Sequence, residues 1–110
     1  MLIMRRNEAE FATTAAVNTA KHLAMLVKQA RMARGWSQAG LAERARISAP
    51  TMNRIEKGSL GASLGAWLAV LERVGLLHKL NQLDDPASKA IMDSTKAKRP
   101  IRMSSQDLDF

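Results

Sequence analysis

The sequence predicts an all-α protein, a compact bundle of five short helices with an arm before it and a flexible tail after it. Two observations carry that expectation. Apolar residues recur three and four positions apart from Leu23 onward, the spacing of a single helix face. Serines stand just ahead of successive apolar runs, where a side-chain oxygen takes up the free amides of a first helical turn. No strand pattern and no internal repeat competes with this reading.

Each element follows in order. Residues 1–17 read as an N-terminal arm, and a domain spans residues 18–83. In helix one, Leu23, Leu26, Val27 and Ala30 fall at i, i+3, i+4 and i+7, and Gly35 ends it. Met25 and Met32 are expected to widen its apolar face. Ser37 caps helix two, from Gln38 to about Ala45, with Trp36 and Leu41 at the positions of a hydrophobic staple. Ser48 caps helix three with Ile47 and Met52 as its staple. Pro50 is tolerated there because a first-turn N–H has no intrahelical partner. Gly58 supplies the stop. Leu64, Trp67, Leu68, Leu71 and Val74 mark helix four up to Gly75. Leu76, Leu77, Leu80 and Leu83 mark helix five, closed by Asp84-Asp85-Pro86. Beyond Ala87 the periodicity fades, and residues 84–110 are expected to form a flexible C-terminal tail.

The 110 residues allow one domain at most, and a core of about 60 residues buries only about 60% of the surface of its unfolded chain. Without cysteine, disulfides and thiolate metal sites are excluded. The apolar runs fall short of a membrane span and of a signal-peptide core, so a soluble cytoplasmic protein is expected, with no membrane contact. His22 and His78 lie far apart in sequence, and no acid–base pair, nucleophile triad or phosphate loop is present. No catalytic residue, metal or cofactor is expected.

The charge is uneven. The chain carries +7, and from Lys21 to Gly58 eight basic residues face two acidic ones, a net of +6. From Asp84 to Phe110 five basic residues balance five acidic ones. A polyanion is the expected partner of the middle segment. Two serine-capped short helices in that basic segment form a helix-turn-helix pattern. Double-stranded DNA then assigns the roles. The amides at the start of helix two and the Gln38 side chain face a phosphate. Helix three enters the major groove, with Ala49, Pro50, Thr51, Asn53 and Arg54 outward and Met52 and Ile55 inward. Ser48 and Lys57, at its two ends, complete the expected DNA-facing set. A solvated basic surface is the plainer alternative for Arg54.

The segment GWSQAGLAERARISAPTMNRIEKG, with SLGAWLAVLERVG after it, resembles the Cro/CI-type helix-turn-helix family, also called the xenobiotic response element family. The matching residues are Ser37-Gln38, Leu41-Ala42, Ile47-Ser48, Thr51, Arg54-Ile55-Glu56 and Gly58, and the similarity covers roughly residues 20–83. The resemblance implies a lambda-repressor-like, five-helix DNA-binding domain that forms a homodimer on a near-palindromic operator. It places Gln38 on phosphate and Ala49, Pro50, Thr51 and Arg54 along base edges, and it pairs Arg31 with Glu56. Two positions depart from the family. Arg46 stands where the turn usually has glycine, a strained choice if φ is positive, with a phosphate contact as compensation. Gly40 lies inside helix two at a cost of about 1 kcal/mol relative to alanine.

The ending SSQDLDF resembles the tails of antitoxins that neutralise Hip-type serine/threonine kinase toxins. On that resemblance Leu108 and Phe110 are the candidate partner-binding residues, with a kinase-type toxin as the candidate partner. Two readings stay open: the autoregulating antitoxin of a type II toxin–antitoxin pair, and a stand-alone prophage-type or metabolic repressor with an inert tail.

Overall fold

The computed structural model describes residues 11–98. Among these, every regular element is helical. The first five helices are α1 (Thr14–Ala33), α2 (Gln38–Ala45), α3 (Ala49–Glu56), α4 (Leu64–Arg73) and α5 (Leu77–Asn81). They match the five expected from the sequence except at two ends: α5 stops at Asn81, short of the expected Leu83, and α1 begins early. α1 starts at Thr14, because Thr13 accepts from the Ala16 amide (3.1 Å) and caps it, so this helix reaches into the expected arm.

Ser37 and Ser48 cap as the sequence predicts, their hydroxyl oxygens accepting from the amides of Gly40 and Thr51, and Ser63 caps α4 in the same way by accepting from Ala66. Each satisfies one donor that the first turn leaves without an intrahelical partner. The helix ends are equally regular. Positive φ appears at Gly35, Arg46, Gly58 and Gly75, and the following amide reaches back to the final turn, as in Ile47 N–H to the Ala42 carbonyl at 3.0 Å. At Gly58 a second constraint adds to φ, since a Cβ there would sit 3.1 Å from the Lys21 Cα of α1. Only glycine lets the exit of α3 lie that close to α1.

One core joins the bundle. Val27, Leu41, Met52, Ile55, Val70 and Val74 are fully buried, and Trp36 and Ile47, the two staple residues, pack partly against them. Burial of each large side chain is worth about 1.5–3 kcal/mol, which is what holds eight-residue helices that would not survive alone. α2 packs on α3 and α4, α1 packs on α3, and α4 packs on α5.

Four expected core residues are not in it. Met25, Met32, Leu64 and Leu83 are exposed. Helical spacing identifies a stripe but not which of its residues a neighbour covers, and Leu83 lies beyond the end of α5.

The largest difference lies beyond residue 84. Asp84-Asp85-Pro86 closes no helix; it opens one. α6 spans Pro86–Lys98, where the sequence reading expects a flexible tail. The Asp85 carboxylate accepts from the Ser88 amide (3.2 Å) and pairs with the Ser88 hydroxyl, and Pro86 takes the first helical position. These hydrogen bonds hold the Asp85 carboxyl below its ordinary range, the Ser88 side chain contributing most. Every residue from 86 to 96 is exposed. No helix among the described residues is long and apolar enough to cross a membrane.

Candidate nucleic-acid interface

α2 and α3 form the expected two-helix unit. α3 is only eight residues long, and it is fixed from below at three points. Met52 and Ile55 are fully buried beneath it. Glu56, at its last turn, accepts two hydrogen bonds from Arg31 of α1, Nε to Oε2 at 2.8 Å and Nη2 to Oε1 at 3.0 Å. The remaining guanidinium nitrogen of Arg31 donates to the Trp36 carbonyl at 2.9 Å, in the loop that leads into α2. Glu56 is only 5% exposed, so its charge is paired out of water, and a two-pronged pair of this kind sets orientation as well as contact. This is the ion pair that the resemblance implies.

The opposite side of α3 is turned outward. Ala49, Pro50 and Arg54 are exposed, and Thr51 and Asn53 are half-buried. The Ser48 hydroxyl donates to Thr51 Oγ1 (2.8 Å) while its own oxygen caps the helix, so these two side chains are tied to each other. The guanidinium of Arg54 makes no hydrogen bond or ion pair with any described residue, and Lys57 is exposed beyond it. Gln38 is half-buried at the first position of α2.

Arg46 has φ 58 and ψ 43, the left-handed conformation that its departure from glycine put in question. A non-glycine residue there costs about 1–2 kcal/mol. Gly40 has a local reason. A Cβ at that position would lie 3.1 Å from the Ser37 hydroxyl and 3.2 Å from the Arg44 guanidinium, so the small residue keeps both the cap and that side chain in place.

The structure adds residues that the spacing did not single out. Arg44 lies 4.4 Å from the Trp36 ring centre and donates to the Gly40 carbonyl at 3.1 Å. Arg34 reaches the Val74 carbonyl at 2.9 Å and ties the end of α1 to the end of α4. Nothing in the sequence periodicity marks either, since both contacts join different elements or opposite ends of a turn. Among the described residues no three potential metal-ligating side chains come together. Leu108 and Phe110 lie outside the described residues.

No curated protein and no solved structure is detectably similar to the chain. A family model for helix-turn-helix domains does match it over residues 22–80, more than half of its length. That stretch runs from α1 to α5 and contains the whole two-helix unit. The chain belongs to the helix-turn-helix domain family of DNA-binding proteins.

Proposed function

We propose that this protein is a sequence-specific transcriptional repressor that binds a near-palindromic operator as a homodimer of the Cro/CI type. The observation that carries the reading is the outward side of α3. It offers Ala49, Pro50, Thr51, Asn53 and an unpaired Arg54 on a helix whose other side is anchored by Met52, Ile55 and the Arg31–Glu56 pair. A helix 10–12 Å across fits the major groove, which is about 12 Å wide. Arg54 reads a guanine edge through two hydrogen bonds, and Ala49 and Pro50 offer apolar contact to thymine methyl groups. Gln38, Arg46 and Lys57 hold the phosphate backbone, with Ser48 at the helix start. The local excess of positive charge supports this, since neutralising phosphates releases counterions and drives association.

Footprinting of the chain's own promoter tests the reading. Two protected half-sites, related as an inverted repeat and centred about 34–36 Å apart, are expected. Protection without an inverted repeat, or none at low salt, contradicts it.

The finer role we propose is that of an autoregulating antitoxin paired with a Hip-type kinase toxin. It is supported by the Leu108-Asp109-Phe110 ending alone. Deleting residues 107–110 should leave operator affinity and Tm unchanged while weakening co-purification with the neighbouring gene product. Unchanged co-purification makes the protein a stand-alone repressor.

A further inference from the structure

The described chain leaves two apolar surfaces without a counterpart. One is a groove of about 510 Å³ between the first half of α1 and α4. Its α1 wall is built from small side chains, Ala16 and Ala20 among them, and its other wall from Leu64, Trp67 and Leu68, with Leu80 of α5 at its edge. Small residues opposite large ones leave room that the chain's own α6 does not fill, for no residue of α6 lines it. Leu64, on the rim, is 71% exposed. The other surface is α6, where Ile91 and Met92 are 66% and 64% exposed and none of residues 86–96 is buried. A 13-residue helix in water is marginal by itself, and its first-turn cap does not replace an apolar contact. Leu83, in the segment between α5 and α6, is also exposed.

Charge indicates what meets what. Residues 14–20 and 61–71, which form most of the groove walls, contain no ionisable side chain. A nucleic acid therefore finds no cation there. For a chain of net charge +7, this neutral face is where a second copy approaches with least repulsion, and the basic α2–α3 side stays free for DNA.

We propose that the α1–α4 groove receives α6 of a second copy of the chain, so that two copies exchange α6 across a two-fold axis. A single helix of about 20 Å in one groove is small beside the roughly 1,200 Å² that a specific pair buries. Two-fold symmetry doubles the contact, because each copy supplies one helix and one groove. The inference rests on the homodimer reading above and names the surface that makes the dimer.

The absence of cysteine from the sequence permits a clean test with the full chain. Chains carrying Leu64→Cys are mixed with chains carrying Ile91→Cys under mild oxidation. A disulfide-linked dimer containing one of each is expected, and far less of either homodimer. A chain carrying both substitutions should also give covalent dimer; an intrachain link instead means that α6 folds into its own groove, which overturns the exchange. In parallel, Ile91→Asp should raise the dimer dissociation constant at least about 30-fold in sedimentation while leaving the helical content of the domain intact. Unchanged dimerisation overturns the proposal. So does recovery of monomer when only Met1–Met4 is deleted while Ile91→Asp has no effect, because the apolar amino-terminal run is then what covers the groove. Operator titration of the same samples separates the two readings. A dimer linked as proposed that binds no DNA contradicts the repressor reading alone, and a DNA-binding dimer held elsewhere contradicts this inference alone.

Discussion

α3 and α6 are opposite solutions to the problem of holding a helix in water. α3 has eight residues, with Met52 and Ile55 fully buried and its last turn clamped by Arg31. α6 has 13 residues, a capped first turn and every residue from 86 to 96 exposed. Length and capping favour α6; tertiary packing favours α3, and packing is the larger quantity. A cap contributes about 1 kcal/mol, whereas two core side chains contribute several. The shorter helix is thus the rigid one, which is what a reading element needs: side chains aimed at base edges must hold their geometry before DNA arrives.

The contrast is broken most severely at Ile55. Ile55→Ala should lower stability by about 2–5 kcal/mol, since it removes core contacts and leaves a cavity beneath α3. Ile91→Ala should change the stability of dilute protein by no more than about 0.5 kcal/mol, having no core to leave. Urea unfolding of the two variants checks both figures, and similar losses would contradict the contrast.

This asymmetry also explains what could be read from the sequence. The α2–α3 unit was legible because its caps, staples and inward residues all repeat the same short grammar, and each agrees with the others. Ser37 and Ser48 do cap, Trp36 and Ile47 do pack, and Met52 and Ile55 are buried. α6 is hard to read from the sequence because its apolar residues are few, so no periodicity accompanies it. Its one local signal, Asp85 before Pro86 with Ser88 three positions on, is the same cap-and-proline pattern that marks α3 at Ser48 and Pro50. In the sequence alone the same residues read equally well as a stop. Leu64 and Leu83 were misplaced for a related reason: sequence shows that a residue is apolar, but the neighbouring element decides whether it is covered. The cross-element contacts, Arg34 to Val74 and Arg44 over Trp36, depend on the fold itself and have no sequence signature.

A smaller effect is expected at the turn between α2 and α3. Arg46→Gly relieves a left-handed arginine and should stabilise the domain by up to about 1 kcal/mol. If Arg46 holds a phosphate, the same change weakens DNA binding and lowers the salt slope by about 1. Thermal unfolding and salt titration of the variant test the two halves, and a destabilised variant contradicts the strain argument.

The smallest effect concerns the cap of α6. The Asp85 carboxyl is held below its ordinary range by Ser88, so the ionised cap is present at neutral pH. Its contribution should disappear as pH falls through that depressed value, and rise again above it. Amide protection factors along residues 86–92, taken relative to the intrinsic exchange rate at each pH, should fall in acid, while α3 stays protected. Loss of protection in α3 before α6 would contradict this order.

The central claim is that the anchored helix reads sequence while α2 and its flanks only position it. Affinities of Arg54→Ala and Gln38→Ala for the operator, and for operators with single base changes, test it most directly. Arg54→Ala should cost about 1–3 kcal/mol on the preferred site and flatten the preference at one base position, whereas Gln38→Ala should weaken all sequences alike. An equal loss on every sequence for Arg54→Ala would make it a phosphate contact and contradict the claim.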